Sequence, residues 1–127
     1  MNGLHLTADL RGCAVNQPAF TDPDALRALC SAAVLRSGLT TVGELFHRFA
    51  HPGGVTGVVL LAESHLALHT WPELAAVTLD VYVCNLQADH SRAARGLMDF
   101  LEAAFAPATS QRQELLRGAP MQSSARR

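Results

Sequence analysis

The chain contains no lysine, and its ten basic residues are all arginine. A pyridoxal-phosphate enzyme carries its cofactor on a lysine amine, so that route to amine chemistry is closed. Long apolar runs are missing too. None approaches about 18 residues, so no membrane-spanning helix is expected. The opening Met1-Asn2-Gly3-Leu4-His5 lacks the basic and apolar regions of a secretory signal. Cysteine is scarce and odd in number, three at no metal-like spacing, which suits reduced thiols in a cytoplasm. Charge is sparse and nearly balanced at net −1, which gives no argument for nucleic acid or a membrane surface as partner. Repeats, low-complexity blocks and linkers are absent.

What is present is a core. Hydrophobic residues make up 49% of 127 residues, enough for one globular domain. It is expected to fill 1–118, with the small, polar and basic tail 119–127 disordered. Leu4, Leu6, Ala8 and Leu10 alternate with polar neighbours, as a first strand requires. Asp22-Pro23-Asp24 is a helix start, with a capping side chain, a proline at the first helical position and an acid for the dipole. The helix runs to Arg36 with Leu26, Leu29, Cys30, Ala33 and Val34 on one stripe, and Gly38 stops it. Strands are expected at 40–49, 55–62, 65–71 and 77–84, with a turn at His51-Pro52-Gly53-Gly54. A second helix covers 91–106, striped by Ala94, Leu97, Met98, Leu101, Ala104 and Phe105. A last strand is expected near 111–117. The pattern predicts an α/β two-layer sandwich, a mostly antiparallel sheet with two helices packed on one face.

One stretch breaks the hydrophobic logic. The apolar run Val58 to Ala62 ends abruptly in Glu63-Ser64-His65, and His69-Thr70-Trp71-Pro72-Glu73 follows at once. A tight hairpin bend near Ser64 is the simplest connection, and it is expected to carry Ser64 towards His69. Read alone, Ser64 is a turn serine, Cys84 a small hydrophobe and Trp71 a packing residue. His65/His69 and His47/His51 are each four apart, which along a strand spans about 13 Å and is too far for one ion. No metal is expected.

Taken in order, these residues resemble the bacterial and archaeal S-adenosylmethionine decarboxylases, small pyruvoyl-dependent enzymes of polyamine (spermidine) synthesis. The likeness runs from Gly3-Leu4-His5, Asp9 and Gly12-Cys13 through Phe46-His47-Arg48-Phe49 and Glu63-Ser64-His65. It continues through His69-Thr70-Trp71-Pro72-Glu73 to Asp80-Val81-Tyr82-Val83-Cys84, roughly residues 3 to 118. The resemblance implies self-cleavage between Glu63 and Ser64, which converts Ser64 into a covalent pyruvoyl group. It implies that His69 assists processing, with Thr56 where the family usually has a serine. It implies that Cys84 returns a proton to the decarboxylated carbon. Phe49 would stack on the adenine and Glu73 bind the ribose hydroxyls of a small amino-acid-type substrate. The family forms dimers through its sheets, so a cytoplasmic homodimer of processed chains is implied.

Departures lie on the rim. Leu74 and Ala75 replace a common aromatic and glycine, Asn85 replaces a glycine after Cys84, and one extra residue sits near Gly53-Gly54. Three readings therefore stay open: decarboxylation of S-adenosylmethionine, decarboxylation of arginine or ornithine by the same machinery, and an uncleaved homologue that acts as a binding or regulatory subunit.

Overall fold

Period-two alternation becomes strand and period-3.6 striping becomes helix along this chain. In the computed structural model, which describes residues 2–86 and 88–118, the elements follow in the expected order. They are β1 (Gly3–Arg11), α1 (Pro23–Ser37), β2 (Thr41–Arg48), β3 (Val55–Leu61), β4 (Ser64–Trp71), β5 (Ala76–Cys84), α2 (Ser91–Phe105) and β6 (Thr109–Arg117). Short 3₁₀ turns lie at Pro18–Phe20 and Pro72–Leu74. The strands form one sheet in the order β2-β3-β4-β5-β1-β6. Every neighbouring pair is antiparallel. Both helices cover one face, so the two-layer α/β sandwich is the architecture found.

The inward side chains come from the alternation. Leu4, Leu6 and Leu10 of β1, Leu66 and Leu68 of β4, and Val77, Leu79, Val81 and Val83 of β5 are at most 3% exposed. Each such side chain contributes about 1.5–3 kcal/mol through burial. Asp22 caps α1 by accepting from the Asp24 N–H at 3.0 Å, and Gly38 closes it at φ +83°. From α2, Ala94, Leu97, Met98, Leu101 and Phe105 enter the core. Ala104 of the expected stripe is only half-buried.

Two differences from the sequence reading matter. First, β6 begins at Thr109 and all nine of its residues are exposed. Its alternation carries little hydrophobic signal because charge fastens it to α2. Arg95 pairs with Glu114 at 3.0 Å, and Arg112 pairs with Asp99 at 2.7 Å and Glu102 at 3.0 Å. The same charged edge discourages further strand pairing. Second, the hairpin bend falls at Ala62-Glu63, with Leu61 opposite Ser64. Ser64 is therefore the first residue of β4 and not part of the bend. The expected tail at 119–127 lies outside the described residues.

Among the described residues, the second face of the sheet meets no helix. It presents His5, Thr7 and Asp9 of β1, Asp80, Tyr82 and Cys84 of β5, and His65, His69 and Trp71 of β4. Leu45, Leu60 and Leu115 stand on it 71%, 52% and 57% exposed.

Candidate active site

The β3–β4 hairpin turns on two residues, and the second, Glu63, takes φ +59°. A side-chain-bearing residue in the left-handed region stores about 1–2 kcal/mol. The peptide bond that follows Glu63 is the one joining it to Ser64. Ser64 Oγ accepts a hydrogen bond from the Cys84 backbone N–H at 3.3 Å. The head of β4 and the end of β5 thus bring Ser64 and Cys84 together.

Cys84 is also the half-buried thiol among three free cysteines, since Cys13 and Cys30 are buried. Burial pushes the Cys30 thiol up to about 12, with Glu44 adding to the effect. Burial raises Cys13 as well. Alkylation with iodoacetamide at about pH 8 should therefore modify Cys84 first, because the thiolate is the nucleophile. Peptide mass mapping reads this, and first labelling at Cys30 would contradict it.

A second group of residues gathers at the other end of the same hairpin. Thr56 of β3 lies opposite His69 of β4, and Thr56 Oγ1 is 2.9 Å from His69 Nδ1. A hydroxyl and an imidazole in contact can pass a proton. Beside them opens a cleft of about 480 Å³ that Phe49, Thr56, His69, Trp71 and Glu73 help to line. Its size falls in the range of small-molecule sites, roughly 300–1,000 Å³. Phe49 is 50% exposed at its mouth, steadied edge-on by His47 with ring centroids 4.8 Å apart.

Thr70 fixes the floor of this cleft. It is 3% exposed, accepts from the Val55 N–H at 2.8 Å and donates to the Phe20 carbonyl at 2.8 Å. One hydroxyl thus ties β3 and β4 to the Pro18–Phe20 turn. Thr70→Val keeps the shape but leaves the Val55 N–H without that acceptor. It should cost about 1–3 kcal/mol, read as a lower urea midpoint, and Thr70→Ser should recover most of it. Gly54 is constrained from the same side. A Cβ there would lie 2.4 Å from the Thr70 carbonyl oxygen, which is backbone and cannot swing away.

The two groups do not meet within one chain. Ser64 and His69 lie five residues apart on one straight strand, about 17 Å at 3.4 Å per residue. The odd separation also turns them to opposite faces. The bend expected to unite them lies before Ser64, so it cannot do so. The candidate residues fall instead into two groups. One is Ser64 with Cys84, and the other is Thr56, His69, Phe49 and Glu73.

The sequence reading also missed a cluster on the open face. His5, Asp80, Tyr82 and His65 stand on three adjacent strands, since His5 and His65 both pair with Tyr82. They are far apart in sequence, and only strand order and register join them. Each lies in a stretch that carries the family resemblance, but nothing along the chain joins the four.

Residues 4–118 match the S-adenosylmethionine decarboxylase family. The chain belongs to that family. It is 40% identical to the S-adenosylmethionine decarboxylase proenzyme of Aquifex aeolicus over 91% of this chain and 81% of that protein. It is 37% identical to the proenzyme so named from Archaeoglobus fulgidus, over 91% of this chain and 97% of that one. The crystal structure of the Aquifex aeolicus adenosylmethionine decarboxylase superposes with a TM-score of 0.82, covering 92% of this chain and 91% of that chain at 36% identity.

Two rim departures from the S-adenosylmethionine decarboxylase pattern have local structural accounts. Ala75 sits at φ +50°, where a glycine is at ease. Ala75→Gly should therefore be neutral or stabilising by up to about 1 kcal/mol in thermal melts. Asn85 holds the start of α2. Its Oδ1 accepts from the His90 N–H at 2.7 Å and its Nδ2 donates to Ser91 Oγ at 3.1 Å. Neither residue lines the cleft beside His69.

Proposed function

We propose that this chain is a proenzyme that cleaves itself between Glu63 and Ser64 and then decarboxylates S-adenosylmethionine, serving spermidine synthesis in the cytoplasm. The carrying observation is Ser64 at the head of β4, directly after a left-handed Glu63 and in contact with Cys84. Ser64 Oγ attacks the Glu63 carbonyl carbon, and the peptide nitrogen leaves as the Ser64 amine, giving an ester. Loss of the Ser64 α-proton breaks the Cβ–Oγ bond, and Oγ departs as part of the Glu63 carboxylate. Water then displaces ammonia from residue 64 and leaves a pyruvoyl group. The residues present suit such a group: it becomes the first residue of its fragment, and the Cys84 backbone N–H stands beside it. That group supplies the electron sink for decarboxylation that a lysine-free chain cannot obtain from pyridoxal phosphate.

The remaining roles belong to this chain's own side chains. Phe49 offers its exposed face to a purine, and Glu73 accepts from hydroxyls at the far side of the cleft. Cys84 delivers a proton to the carbon that has lost carbon dioxide. Thr56 and His69 move protons during cleavage. Because Ser64 and His69 are apart in one chain, the site is completed by a second copy. The uncovered sheet face, with its exposed leucines and Trp71, is the surface two copies would share. A two-fold axis lying between the sheets and across the strands sets the Ser64 end of one β4 over the His69 end of the other.

Release of carbon dioxide from S-adenosylmethionine, arginine and ornithine, measured in parallel on purified protein, tests the substrate. S-adenosylmethionine alone should react; release from arginine or ornithine instead would overturn the nucleoside assignment. Cys84→Ala should still cleave, yet turn over about 10²–10⁴-fold more slowly, the usual contribution of a placed proton donor.

A further inference from the structure

Four strands meet in a side-chain chain on the open face that the chemistry above does not use. Arg117 of β6 contacts His5 Nδ1 at 3.2 Å. Arginine can only donate, so His5 Nδ1 accepts and the ring proton sits on Nε2. That proton goes to Asp80 Oδ1. The same Oδ1 lies 3.8 Å from His65 Nε2. The His65 ring stacks on Tyr82 with centroids 5.7 Å apart and planes inclined by 28°. The Arg117 guanidinium covers Tyr82 at 5.9 Å. Tyr82 itself lies across Gly3, where a Cβ would fall 2.6 Å from its hydroxyl. His5, His65 and Asp80 offer ligand atoms within 4.8 Å of one another. Both nitrogens of His5 are nevertheless engaged already, so the cluster is complete without an ion.

What the cluster holds is the residue after Ser64. In the uncut chain the head of β4 is tethered by the hairpin. Once the bond between Glu63 and Ser64 is broken, residue 64 becomes a free chain end, and free ends fray unless tied down. The nearest buried anchor is Leu66, at 0% exposure. Between that anchor and the reacting group stands only His65. Catalytic groups need placement within about 0.5 Å, so the tether lost on cleavage requires a replacement.

We infer that His65 is a positioning residue for the processed enzyme: its ring, stacked on Tyr82 and facing an Asp80 held by His5, which Arg117 fixes in turn, clamps the new amino end beside Cys84. This rests on the self-cleavage reading. It assigns His65 a role after cleavage and none in it.

The test places His65→Ala in two backgrounds, the self-cleaving chain and the uncut Ser64→Ala chain. Intact mass comes first, then amide hydrogen exchange at residues 66–68, then kcat and KM. The cleaved His65→Ala protein should be cut as fully as its parent. Its exchange at 66–68 should rise about tenfold or more. Its kcat should fall on the order of 10- to 100-fold at a KM changed by less than about twofold. In the uncut background the same substitution should leave exchange at 66–68 within about twofold. His65→Phe, which keeps the stack, should retain the protection. Equal loosening in both backgrounds would make His65 an ordinary strand residue and overturn the clamp. So would a His65→Ala chain that stays whole while its parent is cut. An uncut parent would instead bring down the self-cleavage reading, and the clamp with it.

Discussion

Ser64→Ala leaves one uncut chain without decarboxylase activity. On the self-cleavage proposal, the substitution removes the hydroxyl that attacks the Glu63 carbonyl at the left-handed turn. Without that attack there is no ester, no elimination and no electrophile. No lysine stands elsewhere in the chain to recruit pyridoxal phosphate in its place. The fold should hardly notice. Ser64 is half-buried, and among the described residues its hydroxyl has one hydrogen-bond partner, the Cys84 N–H at 3.3 Å. A loss of about 0.5–1.5 kcal/mol is the scale for one such bond. Denaturing gel, carbon dioxide release and urea midpoint together read the result. Turnover by the uncut variant would remove Ser64 from the chemistry.

Mixing two dead chains should restore a live site. His69→Ala should cleave on the order of 10²–10⁴-fold more slowly, as loss of a proton-transfer group does. Co-expressed with Ser64→Ala, it should recover. In the mixed dimer one site joins the intact Ser64 of the His69→Ala chain to the intact His69 of the Ser64→Ala chain. The other site lacks both. With random pairing, about half of the His69→Ala chains should be cut and none of the Ser64→Ala chains, because a two-fold interface is isologous. Tagging the two chains differently and weighing them separately reads this. No rescue would place His69 within reach of its own Ser64. That would contradict a strand on which they lie five residues apart.

Most of the fold was legible because burial follows period. β1, β5 and both helices carry clear stripes, and the residues the pattern names turn inward except Leu29 and Ala104, which are only half-buried. The Asp22 cap and the Gly38 stop are written in residue chemistry and appear where expected. β6 was only partly legible, because ion pairs from Arg95 and Arg112 hold it where apolar residues do not. The candidate site was legible as a set of residues but not as a geometry. Phe49, Thr56, His69 and Glu73 gather at one cleft, and Ser64 and Cys84 gather at one strand end. The separation between the groups follows from placing the bend one residue earlier than expected, at Ala62-Glu63. The His5–Asp80–His65–Tyr82 cluster gave no signal as a cluster. It exists because β1 and β4 both flank β5, a fact of strand order that no spacing along the chain encodes.

The most direct measurement is the mass of the purified wild-type protein under denaturing conditions. Two pieces should appear, 1–63 and 64–127, the second beginning with a pyruvoyl group and closed to amino-terminal sequencing. A single intact chain of 13.6 kDa, with Ser64 unchanged after prolonged incubation, would contradict self-cleavage. The uncleaved binding or regulatory subunit would then be the reading that remains.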